Sequence, residues 1–130
     1  KMALMPGDVW QGVDVPTFMV TGTDDYGVAG KGRKATDYTT EVLSGAAAPE
    51  PKQGVPRYRL LLAGGDHYFG GLIHRDPGGL KPDVEGLALF ADLSTAFMDA
   101  YVRADPAALD YLRNADVAGL SHRRATLTGP

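Results

Sequence analysis

The order of strand-like and helix-like stretches in this chain predicts an α/β fold. Three observations carry that expectation. Two short apolar runs, Pro16–Gly22 and Arg57–Ala63, read as strands covered on both faces, because their apolar residues follow one another without strict alternation. Between them, 35–43 holds a short helical pattern. From 83 to 103, aromatic and aliphatic residues recur every three or four positions, as one face of a long helix requires.

The chain has 130 residues, the size of one ordinary domain. Apolar residues make up 44% and charged residues 22%, enough for a core under a polar surface. A formal charge of −3 offers no electrostatic case for nucleic acid or an anionic membrane. No apolar run is long enough to cross a bilayer. There is no cysteine, which excludes disulfides, thiolate zinc sites and a cysteine nucleophile.

Residues 1–15 read as an approach segment broken by Pro6, Gly7 and Gly12, with Val9, Trp10, Val13 and Val15 packing under whatever precedes the first strand, Trp10 having a pocket wall as its alternative use. Pro16 is tolerated at that strand's first position. The strand runs into Gly22-Thr23-Asp24-Asp25, a polar turn. Residues 28–34 form a loop with a small basic cluster, Lys31-Gly32-Arg33-Lys34, of the kind that is usually solvated surface. In the helix over 35–43, Tyr38 and Val42 share one side, and Pro49 and Pro51 prevent its continuation. Strand, helix, strand is a βαβ unit with a right-handed crossover. Its parallel strands bring their carboxyl ends roughly 5 Å apart.

The second strand stops at Gly64-Gly65-Asp66-His67-Tyr68-Phe69-Gly70-Gly71. Glycines free the backbone there for unusual angles, and the carboxyl ends of parallel strands are where ligands collect. A loop follows, 70–82, carrying His74. The long helix starts at the N-cap Asp83, with Glu85 adding negative charge to its first turn. Phe90, Leu93, Phe97 and Tyr101 form its stripe, which suits packing on a sheet. Asp105 caps a further helix, with Pro106 at its first position. From about 114 onward the pattern is weak and reads as a surface tail.

This arrangement brings Asp24 or Asp25 from one strand end to His67 from the next. A carboxylate that accepts a hydrogen bond from one imidazole nitrogen fixes the tautomer. The other nitrogen is then free to take a proton from a nucleophile. Histidine suits that task because its ordinary pKa lies near neutrality. A metal site drawn from Asp24, Asp25, Asp66, His67 and His74 is a competing use of the same side chains, but compact spacing such as His-x-x-x-His is missing. A third possibility is that the Asp–His pair is structural.

The stretch Val15-Pro16-Thr17-Phe18-Met19-Val20-Thr21-Gly22-Thr23-Asp24-Asp25 resembles the strand leading to the catalytic acid of α/β-hydrolases. Gly64-Gly65-Asp66-His67-Tyr68-Phe69-Gly70-Gly71 resembles their histidine loop. The helix with Ala96-Phe97-Met98-Asp99-Ala100-Tyr101 resembles the last helix behind that histidine. The likeness covers roughly 8–112 and is nearest to bacterial esterases and lipases of the dienelactone-hydrolase-like branch.

The resemblance implies that residues 1–130 are the C-terminal portion of a single α/β-hydrolase domain. It implies a serine ester hydrolase acting on a small-molecule ester without cofactor or metal. Asp25 would be the acid, with Asp24 as the alternative, and His67 the base. Tyr68 and Phe69 would wall the substrate pocket or, equally, pack into the core. The family's Gly-x-Ser-x-Gly elbow is missing: Ser44, Ser94 and Ser121 all follow the acid and are wrongly flanked. The expected partner is therefore an N-terminal segment or separate chain bearing the nucleophilic serine. The remaining alternative is a non-catalytic binding or assembly module of hydrolase-like fold.

Overall fold

The computed structural model describes residues 13–25, 54–73 and 81–130. In order these form β1 (Thr17–Gly22), β2 (Arg57–Leu62), α1 (Val84–Val102), α2 (Pro106–Asn114), α3 (Val117–Leu120) and β3 (Ala125–Thr128). The strands make one mixed sheet in the order β1-β2-β3. β1 and β2 run parallel, in a register that pairs Thr17 with Arg57 and Gly22 with Leu62. β3 lies antiparallel on the other side of β2, pairing Ala125 with Leu62 and Thr128 with Arg59. The result is a small α/β arrangement. The helix expected over 35–43, the basic cluster at 31–34 and His74 lie outside the described residues.

Alternation along β2 decides which face is buried. Tyr58, Leu60 and Leu62 are buried, while Arg57, Arg59 and Leu61 point the other way and are half-buried. α1 covers the first face. Its Asp83 cap accepts from the Gly86 N–H at 2.9 Å, which satisfies one of the free donors at the helix start. Leu89, Leu93 and Ala100 are buried below it. Full burial of a side chain such as Leu93 contributes about 1.5–3 kcal/mol.

The aromatic stripe packs on the sheet, as its spacing predicts. Phe97 lies 5.6 Å from Phe18 and 6.0 Å from Tyr58, the latter edge-on. Phe90 stacks on Phe69 at 5.7 Å. Such offset and edge-on contacts add to the simple burial of the rings. The hydroxyls of Tyr58 and Tyr101 share a hydrogen bond at 2.9 Å, so the polar tips within this cluster satisfy each other.

α2 begins as its sequence requires, with Pro106 at the start and the Asp105 carboxylate accepting from the Ala107 N–H.

The segment expected to be a tail is not one. Asp116 caps α3 through the Gly119 N–H, and β3 then completes the sheet. Val117, Ser121 and Ala125 are buried. The Ser121 hydroxyl donates to the Val117 carbonyl and accepts from the Ala125 N–H, so this buried polar group is paired in both roles. The physical reason for β3 is the exposed edge of β2, whose free backbone groups need a partner.

Candidate active site

Parallel pairing carries β1 and β2 to the same rim. Beyond the last pair, Gly22 with Leu62, the two chains stay bonded. The Thr23 N–H donates to the Leu62 carbonyl at 3.0 Å and the Asp24 N–H to the Gly65 carbonyl at 2.9 Å. In return the Gly64 N–H donates to the Thr23 hydroxyl oxygen at 2.8 Å. The backbones come so close that a Cβ on Gly22 would stand 2.0 Å from the Gly65 oxygen. Glycine is therefore required at position 22 by contact. Gly64, at φ +71, is required by conformation, since it turns the chain out of β2.

Here Asp25 and His67 meet, although 42 positions separate them in sequence. His67 Nδ1 lies 3.2 Å from Asp25 Oδ2. Asp25 is only 5% exposed, whereas the His67 side chain is 43% exposed. A carboxylate can only accept, so the contact calls for a proton on Nδ1 and leaves Nε2 as the acceptor of the neutral ring. Asp24, the alternative acid, is exposed, and its Oδ1 takes a 3.4 Å contact from the Thr23 hydroxyl. Of the two carboxylates, Asp25 is the one that pairs with the ring.

His67 sits in a turn shaped by Asp66. One Asp66 oxygen accepts from the Tyr68 N–H at 2.6 Å and the other from the Gly70 N–H at 2.9 Å. This holds Phe69 at φ +51, a left-handed conformation unusual for a bulky residue. Phe69 is buried and stacked on Phe90, which places it in the core, the other of its two expected uses. Tyr68 is half-buried, with its ring edge-on to the imidazole at 5.1 Å. It is the aromatic side chain beside His67.

The metal alternative separates on the same geometry. Asp66 spends both oxygens on its own turn. Among the described residues, no group of three or more His, Asp or Glu side chains could hold a metal ion; His74 lies outside them. Among the described residues, no helix is long and apolar enough to cross a membrane.

Neither described serine serves His67. The Ser94 hydroxyl donates to the Ala91 carbonyl on α1, and Ser121 is buried in the bonds given above. Ser44 lies outside the described residues.

Two contributions escaped the sequence reading. Thr23 ties the strand ends together, a role hidden because a lone threonine after a strand looks like any turn residue. Arg124 forms a two-pronged ion pair with Asp83, at 3.0 and 2.8 Å, and also reaches Glu85 at 3.2 Å. Its guanidinium is the main cause holding the Asp83 carboxyl below the usual carboxylate range, against the opposing effect of burial. The sequence signal for Arg124 is a basic residue in a weakly patterned stretch.

No protein-family model matches this chain, nor does any curated protein sequence or solved structure.

Proposed function

We propose that this chain is the acid-and-histidine portion of a serine ester hydrolase, built as the C-terminal part of an α/β-hydrolase domain of the dienelactone-hydrolase-like kind. The observation that carries the reading is the 3.2 Å contact between His67 Nδ1 and the buried Asp25 carboxylate, at the shared rim of two parallel strands. Asp25 orients the ring. His67 Nε2 takes the proton of a serine hydroxyl as that oxygen attacks the ester carbon. The tetrahedral intermediate collapses when Nε2–H protonates the leaving alcohol. Water then attacks the acyl-enzyme by the same proton path and releases the acid. Tyr68 flanks the substrate, and no cofactor or metal takes part.

The serine comes from an N-terminal segment or separate chain carrying the strand-turn-helix elbow. The sheet supports this arrangement. β3 covers one edge of β2, while the outer edge of β1 pairs with no strand among the described residues. Further strands would join there.

A fluorophosphonate probe tests the assignment in protein that includes the elbow-bearing segment. The label is expected on that segment's serine and is lost in His67→Ala. Label appearing within residues 1–130 overturns the division of labour. One observation favours a second reading, a non-catalytic assembly module: neither described serine approaches His67. A protein that neither takes the probe nor cleaves esters establishes that second reading.

A further inference from the structure

Resting on the reading of His67 as general base, we propose that Arg124 is its positioning residue, closing the histidine loop from the β3 side of the sheet. Besides its bonds to Thr23, Asp24 and Asp25, the loop 63–71 has two tethers that involve Arg124. At its start, the Ala63 N–H donates to the Arg124 carbonyl at 2.7 Å. Near its end, the Asp83 N–H donates to the Phe69 carbonyl at 2.9 Å. The side chain of Arg124 joins the second tether, through both oxygens of Asp83. One residue thus holds the entry of the loop with its backbone and the exit with its guanidinium. His67 lies between the two.

Arg124 is itself fixed. Its N–H donates to the Ser121 carbonyl at 2.9 Å, and the next N–H, of Ala125, donates to the Ser121 hydroxyl. His122 and Arg123 both take left-handed angles, φ +49 and +65, in the turn that brings Arg124 to Asp83. Strained residues side by side persist where the surroundings over-determine the conformation. A planar fork matches a carboxylate in a way that an ammonium cannot, so arginine is the suitable residue here. Asp83 also caps α1, which makes the helix part of the same brace.

The test reads the Nδ1 proton of His67 by NMR in the isotope-labelled protein. In the parent protein a downfield Nδ1–H resonance is expected, and Asp25→Asn abolishes it. Arg124→Met is expected to abolish it too, with an unchanged far-UV spectrum and unchanged ring-shifted signals from Phe97. Hydrogen exchange at the Asp83 amide should rise at least about tenfold, the size of one charge-assisted bond, since both prongs are lost. Asp83→Asn keeps a capping oxygen but removes the charge, and should give the same loss; it decides the matter where Arg124→Met does not fold. Arg124→Lys keeps charge without the fork and should weaken the signal. His122→Gln should leave it intact. A resonance that persists in both Arg124→Met and Asp83→Asn overturns the proposal. A parent protein without any Asp25-dependent resonance overturns the dyad, and this inference with it.

Discussion

At the scale of single residues, burial distinguishes two adjacent carboxylates. Asp25 is buried against the imidazole, while Asp24 is exposed to water. In the serine-complete hydrolase proposed above, Asp25→Asn is expected to lower kcat by roughly three to four orders of magnitude through loss of the correct tautomer. Asp24→Asn should leave kcat within about twofold, since no role in the dyad falls to it. Steady-state ester hydrolysis separates the two, and equal losses would return the assignment to either residue. Asp66 acts on the backbone. Asp66→Ala strips the acceptors from two N–H groups and releases Phe69 from its left-handed angle. A loss of roughly 1.5–3 kcal/mol is expected in chemical denaturation, together with a drop in activity. Much of this was legible in advance. The meeting of a carboxylate from the end of β1 with the imidazole after β2 was readable, because two adjacent parallel strands end at the same rim. The choice between Asp24 and Asp25 was not legible, since it depends on the angle at which the turn leaves β1. Nor was the inward course of Phe69, which follows from one residue's positive φ.

At the scale of elements, the rim depends on how closely β1 and β2 approach. Gly22→Ala places a methyl group against the Gly65 backbone, which cannot swing aside as a side chain could. A destabilisation of about 1–3 kcal/mol is expected. The distinctive outcome is a loss of activity beyond that, because the strand ends carrying Asp25 and His67 must separate. Leu93→Ala provides the contrast. It opens a cavity under α1, costing about 2–5 kcal/mol, but should leave kcat near the parent value in the fraction that remains folded. Thermal melts and kinetics on both variants check the pair. The strands β1 and β2 and the helices α1 and α2 were readable because each carries its own period or cap. β3 was not. Four residues, Ala125-Thr126-Leu127-Thr128, alternate in and out but include one small and two polar side chains. Their strand character comes from the neighbouring edge of β2 more than from their own composition.

At the scale of the whole molecule, pH probes the braces from both ends. Arg124 depresses the folded pKa of Asp83 below its unfolded value of about 3.9. That contribution to stability is present above the unfolded value and is lost as pH falls through the depressed folded value. Asp83→Asn should therefore flatten the acid limb of a plot of melting temperature against pH. Tyr101 gives the opposite limb. Burial first, and then the Tyr58 hydroxyl, push its pKa up to about 12. Its contribution is whole below the ordinary value of about 10 and is lost as pH rises toward the folded one. Tyr101→Phe should cost about 1 kcal/mol at neutral pH and remove that alkaline slope. A slope that survives the substitution would place the alkaline transition elsewhere.

Among the described residues, β3 is the border strand on one side of the sheet, and its features disfavour edge-to-edge pairing. β3 is four residues long, turns Thr126 and Thr128 outward, and runs directly into Gly129-Pro130. Proline offers no backbone donor, so an intruding strand finds a short and poorly bonding template there. A further strand is therefore expected to find little to hold on that flank, where an unguarded edge would invite fibrils.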